Sequence, residues 1–235
     1  LQLPAREPWR EKRDPFEVGK DVVLPFLRAR GIETIDRVVM THGDMDHIGG
    51  MDALVPRFSF GAVLVNGTSP EAKEQQVLRL LQNKGVPILT GKQGISWSDA
   101  PGVEWTWLHP GQKSNHSGND ASVVLQLTAY GTTVLFTGDI GAEGERQLVQ
   151  SGLPAVDVLK VAHHGSHTSS SDAFLAATKP KTAVISLGLK NRYGHPSPEV
   201  LKRLQETGTT VFRTDRDGAI TLIIRPTGVT WKTQV

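Results

Sequence analysis

The stretch Thr41–Gly50 reads THGDMDHIGG and decides how the rest of the chain is interpreted. It follows the apolar segment Asp36–Met40, DRVVM, which predicts a short buried strand, and it precedes an apolar helical pattern. The stretch contains four potential metal ligands within six positions: His42, Asp44, Asp46 and His47. Side chains of this kind, packed so tightly, repel and desolvate one another unless a cation offsets them. The stretch therefore predicts a metal site at the carboxyl end of a strand, rather than a solvated polar loop.

The length and composition fit one domain with a sizeable core. The chain has 235 residues, of which 38% are hydrophobic, enough for a single α/β domain over residues 1–235. Residues 1–17 are rich in charge and proline, so we expect a loop or the remnant of a preceding segment. No apolar run approaches the roughly 20 residues of a membrane span, and the amino terminus is too charged for a signal peptide.

The chain contains no cysteine, which excludes disulfides and thiolate metal sites. A metal must then be held by His, Asp, Asn, backbone or water, a set that suits Zn²⁺ or Mn²⁺. The many carboxylates favour Mn²⁺ as the harder ion. The formal net charge of +2 permits an anionic substrate without indicating one.

Alternating strand and helix patterns predict a mixed sheet covered by helices. Ser69-Pro70 has the residue types of a helix start, as N-cap and first-turn proline. The segments on either side of Asp215–Gly218 predict a pair of strands joined by a turn. Three further helices are predicted: Ala142–Gln150, Asp172–Thr178 and Pro198–Glu206, the last with Ser197 as its N-cap.

Further ligand-type residues follow other predicted strands. Asp139 comes after the apolar strand Thr133–Thr137, and a carboxylate there can bridge two cations. His163 and His164 follow Val156–Ala162. Because neighbouring residues on an extended chain face opposite ways, we expect only one of these two histidines to coordinate metal.

Other polar residues have open interpretations. His195 precedes a helix start and belongs either to the site or to a surface turn. Ser166 begins a serine-rich segment that either binds phosphate or forms a polar loop with helix caps. His109, His116 and His167 are interpreted as surface residues.

The predicted chemistry is metal-dependent hydrolysis. Water held between two cations loses a proton near neutral pH and can attack a phosphodiester in line. The same machinery opens lactams, lactones and thioesters, so the residues alone leave the substrate open.

These residues together resemble the metallo-β-lactamase superfamily, whose signature is HxHxDH followed by an Asp and further His. Here Asp44 stands where the family usually has its second His. The HxDxDH variant followed by IGG is similar to the hydrolase domains of the ComEC family of DNA-internalisation competence proteins. Five more segments carry the resemblance: VVLPFLRARGI, NDASVVLQL, LFTGDI, LKVAHHGSHTSS and NRYGHPSPEVLKRL.

The resemblance implies an α/β (α+β type) fold, an αββα sandwich with the site at one edge. Its implied metal ligands, for one or two ions, are His42, Asp44, Asp46, His47, Asp139 as the bridge, and one of His163 and His164, with His163 favoured. Asn119 stands where the family has another histidine. The strands that usually open the fold have no counterpart in the chain, which implies an exposed sheet edge.

The implied activity is a metal-dependent deoxyribonuclease that degrades the non-transforming strand during DNA uptake. The implied setting is the extracytoplasmic face of the bacterial membrane, beside the membrane-embedded channel portion of the same parent protein. Asp46 and Asp139 would position metal and water, and His195 would donate a proton or contact phosphate. Lys160, Lys190 and Arg192 either meet DNA phosphates or are solvated charges.

Two alternatives remain at this point. One is another hydrolase of the superfamily, such as a choline-phosphate esterase or a lactonase. The other is a catalytically dead DNA-binding module. A small closed pocket favours the first, and lack of metal binding favours the second.

Overall fold

A computed structural model describes residues 16–111 and 117–234. Most of the loop predicted at 1–17 therefore lies outside the described residues. Helical structure begins with the π-helical segment Gly19–Val23, which continues into α1, Leu24–Arg28. Its start is earlier than the apolar spacing predicts, because the Glu17 carboxylate accepts hydrogen bonds from the backbone N–H groups of Gly19 and Lys20.

The first sheet has three parallel strands in the order β1-β2-β3. The strands are β1 (Thr34–Met40), β2 (Ser59–Val65) and β3 (Ile88–Thr90). The connecting helices are α2 (Met45–Ile48), α3 (Met51–Leu54) and α4 (Ala72–Asn83). Among the described strands β1 pairs only with β2, so its outer edge is unpaired there.

The second sheet has seven strands in the order β10-β9-β8-β7-β6-β5-β4. They are β4 (Ser96–Ala100), β5 (Val103–His109), β6 (Val124–Ala129), β7 (Thr132–Phe136), β8 (Val158–Lys160), β9 (Thr182–Ile185) and β10 (Thr210–Arg213). Strands β4 to β7 are antiparallel, and β7 to β10 are parallel. The helices α5 (Ala142–Gln150), α6 (Asp172–Thr178) and α7 (Pro198–Glu206) have the predicted bounds, and Ser197 caps α7 by accepting from the Val200 N–H.

The two sheets pack face to face with helices outside them. Leu64 of β2 meets Trp107 of β5 and Leu125 of β6 in a core between the sheets. Its strand neighbours Val63 and Val65 belong instead to the core beneath the helices, as the two-residue period of a strand requires. The predicted αββα sandwich is thus confirmed.

The predicted pairing around Asp215–Gly218 is wrong. Strand β10 continues the large sheet by pairing in parallel with β9, and one helical turn follows, α8 (Thr214–Asp217). The hydroxyl of Thr214 accepts from the Leu187 N–H and donates to the Leu187 carbonyl. These bonds hold the end of β10 beside the segment that follows β9. The hairpin partner of β11 (Ala219–Arg225) is instead β12 (Gly228–Gln234).

The predicted start of α4 is also displaced. Glu71, not Ser69, is the N-cap residue, and the helix begins at Ala72. The Glu74 carboxyl group is buried and hydrogen-bonds the Glu71 backbone. This is one half of a capping box, and it satisfies the helix end without the serine.

A buried carboxylate on α5 holds the segment that follows the paired histidines. Glu145 is fully buried, and its two oxygens accept from the backbone N–H groups of Ser170 and Ser171. Arg203 adds bonds to the carbonyls of Ser169 and Ser170. Burial raises the pKa of Glu145, and the hydrogen bonds from Ser170 and Ser171 oppose that rise.

We expect Glu145→Ala to lower the free energy of unfolding by about 3 kcal/mol, because two buried N–H groups would lose their acceptors. Urea unfolding monitored by circular dichroism measures the change. The matched control is Glu143→Ala on the same helix, whose carboxylate pairs with Arg146 at the surface, where such pairs contribute little. Equal midpoints for the two variants would contradict the structural role of Glu145.

Candidate metal centre

The candidate site lies where the carboxyl ends of several strands meet. Segments following β1 in the small sheet and β7, β8 and β9 in the large sheet converge there. The Val123 N–H donates to the Thr41 carbonyl at 2.9 Å, and the His163 N–H donates to the Gly138 carbonyl at 3.3 Å. The first bond joins the loops of the two sheets, and the second joins two loops of the large sheet.

Four side chains at this edge direct ligand atoms at a common point. One atom from each lies within 4.8 Å of the others: Asp46, His47, Asp139 and His164. We call these four residues the metal-ligand group. The Nε2 atom of His47 is 3.2 Å from Asp139 Oδ2. The Nε2 atom of His164 is 3.2 Å from Asp46 Oδ2 and 3.6 Å from Asp139 Oδ2.

Hydrogen bonds on the far side of the histidine rings set their orientation. His164 Nδ1 lies 2.6 Å from the Ser186 carbonyl oxygen, which can only accept, so Nδ1 carries the proton. His164 Nε2 then faces the carboxylates of Asp46 and Asp139. A nitrogen lone pair directed at a carboxylate is repelled unless a proton or a cation lies between them.

The residues present fit a metal ion. His42 Nε2, His47 Nε2 and Asp139 Oδ1 are buried and have no hydrogen-bond partner among the described residues. Buried polar atoms are normally satisfied, and each exception needs a reason. Two imidazole nitrogens and a carboxylate oxygen are also the donors that Zn²⁺ and Mn²⁺ accept. A cation at this edge would satisfy all three atoms.

Asp139 is ionised in this setting. Burial alone would raise the pKa of its carboxyl group, but the close contact with His47 and the charges of His47, Lys160 and His164 hold that pKa well below the usual range. Lys160 itself has a pKa lowered by burial, against the opposing pull of Asp139 and Asp46. Asp139 therefore offers a permanent negative charge at the centre of the site.

A second candidate position lies beside the metal-ligand group. His42 is buried, and its Nε2 is 3.4 Å from Asp44 Oδ2. The rings of His42 and His47 are 4.2 Å apart between centroids. Burial and then His47 lower the pKa of His42, which keeps the imidazole neutral and able to ligate. His42 and Asp44 are therefore the candidate ligands of a second ion next to the first.

Two supporting residues carry no signal in the sequence pattern. The Thr41 hydroxyl lies 3.1 Å from His42 Nδ1 and 3.3 Å from His47 Nδ1. The Ser122 hydroxyl lies 3.3 Å from His42 Nδ1 and accepts from the Asp139 N–H at 3.0 Å. Both orient ligand side chains from behind, which tunes metal affinity. The Ser122 contact joins the two sheets, and Thr41 acts from within the ligand loop itself; a hydroxyl in either place has no distinguishing sequence pattern.

The paired histidines differ from the sequence-based expectation. His163 and His164 are not extended but have left-handed backbone angles, with φ of 49° and 52°. His164, not the favoured His163, joins the metal-ligand group. His163 lies instead beside Asn119, whose Nδ2 is 3.3 Å from His163 Nδ1. Asn119 thus lies on the His163 side of the site.

Several predicted residues fall elsewhere. Ser166 is buried, and its hydroxyl bonds Thr168 within the loop, so the polar-loop interpretation fits it; Ser171 caps α6. His109 is not a surface residue, because it is 2% exposed and its Nε2 lies 2.8 Å from the Asp120 carbonyl. His167 is exposed as expected, and His116 lies outside the described residues.

The loop after β9 lines one flank of the site. Lys190 and Arg192 are exposed there, whereas Lys160 is partly buried in β8 beside Asp139 and is not a surface cation. His195 contacts the His163 ring edge-on, with centroids 5.8 Å apart. Burial and then His163 lower the pKa of His195, so its imidazole is uncharged at neutral pH.

Comparison with known families settles the fold family. The family model described as "Metallo-beta-lactamase superfamily" matches residues 6–188. The chain belongs to the metallo-β-lactamase superfamily. It is a metal-dependent hydrolase of that superfamily, as the metal-ligand group and its partnerless atoms indicate.

Relatives within the superfamily are competence proteins. The chain is 39% identical over 221 residues to ComE operon protein 3 of Bacillus subtilis (strain 168), covering 92% of this chain and 28% of that protein. It is 35% identical over 200 residues to competence protein ComA of Neisseria gonorrhoeae, covering 84% of this chain and 26% of that protein. The chain thus spans little more than a quarter of these relatives. Within the described residues, no helix has the length and apolar character to cross a membrane.

A solved superfamily structure has the same fold. CmlA, a diiron beta-hydroxylase from Streptomyces venezuelae, superposes with a TM-score of 0.54 at 17% identity. The match covers 77% of this chain and 44% of that one. At this identity the likeness concerns the fold alone.

Proposed function

We propose that this chain is a metal-dependent deoxyribonuclease that hydrolyses phosphodiesters of DNA, degrading the non-transforming strand during DNA uptake. The observation that carries the proposal is the exposure of two carboxylates at the candidate metal centre. The Asp46 side chain is 62% exposed and that of Asp44 48% exposed. A polymer can therefore reach this centre without entering a closed pocket.

The charge around the site supports a polyanionic substrate. Exposed Lys190 and Arg192 lie on the loop that approaches from the β9 side, where they would neutralise backbone phosphates. The names of the two relatives, ComE operon protein 3 and competence protein ComA, also support a role in DNA uptake. We propose that this chain works at the extracytoplasmic face of the membrane, beside a membrane-embedded channel portion of the same parent protein.

The residues divide the chemistry between them. Asp46, His47, Asp139 and His164 would hold one divalent ion, and His42 and Asp44 a second, with Asp139 shared; Mn²⁺ fits this carboxylate-rich set best and Zn²⁺ is the alternative. The bound metal would supply Lewis acidity and a nucleophilic hydroxide at neutral pH. His195, uncharged, would donate a hydrogen bond to a phosphate oxygen or to the leaving group. The Asp139 carboxyl group is negatively charged at neutral pH, since its pKa is held below the usual range.

Another hydrolase activity of the superfamily is the main alternative. A polar cavity of about 300 Å³ beside His42 and Asp44 is lined by Glu71 and Glu74. Carboxylates in such a cavity suit a cationic group, such as the choline of a small phosphodiester, better than a second phosphate. This cavity gives the esterase hypothesis a specific observation of its own.

The test is degradation of end-labelled single- and double-stranded DNA with Mn²⁺, Zn²⁺ or EDTA, by the wild type and by Asp44→Ala. We expect Mn²⁺-dependent cleavage that EDTA abolishes. Asp44→Ala should lose at least about 10-fold in rate, because the second cation position loses its carboxylate. A parallel assay uses p-nitrophenyl phosphocholine.

Hydrolysis of the phosphocholine ester without cleavage of either DNA would contradict the proposal and favour the esterase. Absence of any hydrolysis, together with absence of bound metal, would favour the DNA-binding module.

A further inference from the structure

The loop after β9 exposes a large aromatic ring beside the metal-ligand group. Tyr193 is 82% exposed, although burying a tyrosine ring is normally stabilising. Lys190 and Arg192 are exposed in the same loop. An exposed aromatic side chain interleaved with cations is the composition of a single-strand nucleic-acid surface.

The Tyr193 ring is held in place from one side. It stacks on the His195 ring with centroids 5.9 Å apart and an interplanar angle of 17°. Asn191 fixes His195, because its Oδ1 accepts from the His195 N–H at 3.0 Å and its Nδ2 donates to the His195 carbonyl at 2.9 Å. One face of Tyr193 is therefore covered by the ring of a residue whose backbone is fixed, and its high exposure leaves the other face to solvent.

The stack leads toward the metal-ligand group. His195 meets the His163 ring, and His163 is followed directly by His164, whose Nε2 lies 3.2 Å from Asp46. Tyr193 thus lies two ring contacts from His163, the chain neighbour of the ligand His164. Lys190 and Arg192 belong to the same loop as Tyr193.

We propose that the open face of Tyr193 stacks a nucleobase of single-stranded DNA, and so positions the strand whose phosphodiester lies at the metal-ligand group. This inference rests on the proposed function and adds the form of DNA that is bound. Bases within a duplex already stack on both sides, so an open aromatic face selects unpaired bases. Stacking is also tolerant of sequence, because every base has a π face.

A membrane surface is the competing occupant of this loop. Leu189 is 76% exposed, and aromatic, apolar and basic residues together are also found at lipid interfaces. The ring contacts that run from Tyr193 through His195 to His163 favour DNA, because they connect this loop to the segment that carries the ligand His164.

The test measures fluorescence anisotropy of a fluorescein-labelled oligothymidylate and of an abasic oligonucleotide of equal length. Wild type, Tyr193→Ala, Tyr193→Phe and Leu189→Ala are compared. We expect Tyr193→Ala to bind the oligothymidylate at least about 5-fold more weakly. Tyr193→Phe should retain wild-type affinity because it keeps the ring, and Leu189→Ala, in the same loop, should bind like the wild type. The abasic oligonucleotide should bind wild type and Tyr193→Ala alike.

Three outcomes would overturn the inference. Equal oligothymidylate affinity for wild type and Tyr193→Ala would remove the stacking role while leaving the nuclease proposal intact. Binding to anionic vesicles that Tyr193→Ala and Leu189→Ala weaken alike, with unchanged DNA binding, would assign the loop to a membrane. Failure of the wild type to bind or cleave any DNA would contradict both proposals. This outcome differs from the first, in which the wild type still binds DNA and only the effect of Tyr193→Ala is missing.

Discussion

Asp139→Asn is expected to lower the rate of metal-dependent hydrolysis by at least about 100-fold. The change keeps the shape of the side chain and removes its charge. Asp139 is 2% exposed, its Oδ1 has no partner among the described residues, and its Oδ2 faces His47 and His164. The neighbouring His47, Lys160 and His164 lower the pKa of its carboxyl group, which favours the charged form.

The measurement is the initial rate of Mn²⁺-dependent cleavage at saturating metal, with metal content determined on the same preparation. Asp172→Asn, an exposed residue in the first turn of α6, is the matched control and should keep full activity. Circular dichroism would show that both variants fold. Wild-type rates in folded Asp139→Asn would rule out the central role given to this carboxylate.

His164→Ala is expected to weaken Mn²⁺ binding at least about 100-fold, whereas His163→Ala should change it by a much smaller factor. The two residues are adjacent in the chain, yet only His164 lies in the metal-ligand group. Its Nδ1 bond to the Ser186 carbonyl fixes the ring with Nε2 toward Asp46. His163 lies beside Asn119 and His195 instead.

Isothermal titration with Mn²⁺ measures both affinities directly, and the pair of variants is its own control for local structure. If His163→Ala lost metal binding and His164→Ala retained it, the left-handed turn that separates the two rings would be wrong. Equal losses would instead indicate that both rings contact the metal.

The metal loop was predictable because its evidence is local. His42, Asp44, Asp46 and His47 lie within six positions, and the strand that precedes them has a clear apolar pattern. Asp139 was predictable for a related reason, since β7 is apolar and parallel strands bring their carboxyl ends to one edge. Helix α7 was found from Ser197 and its proline, whose signals also lie within one turn.

The failures involve interactions between distant parts of the chain or unusual backbone. Strand β4, SWSDA, has no apolar alternation and forms because β5 offers it an edge. Strand β10 pairs with β9 rather than with β11, which is nearer in the sequence. Its partner is therefore set by tertiary packing and not by a local turn. His163 and His164 have left-handed backbone angles, which are uncommon for residues other than glycine. Extended geometry was therefore the natural assumption from the sequence, and it was incorrect.

The most direct test of the central claim is a Mn²⁺ titration that follows bound metal and cleavage of end-labelled single-stranded DNA in one sample. We predict that the cleavage rate rises in parallel with metal bound at the metal-ligand group, and that both are lost in Asp139→Asn. Cleavage that persists undiminished in EDTA, or metal bound with wild-type affinity and no DNA cleaved, would contradict the account.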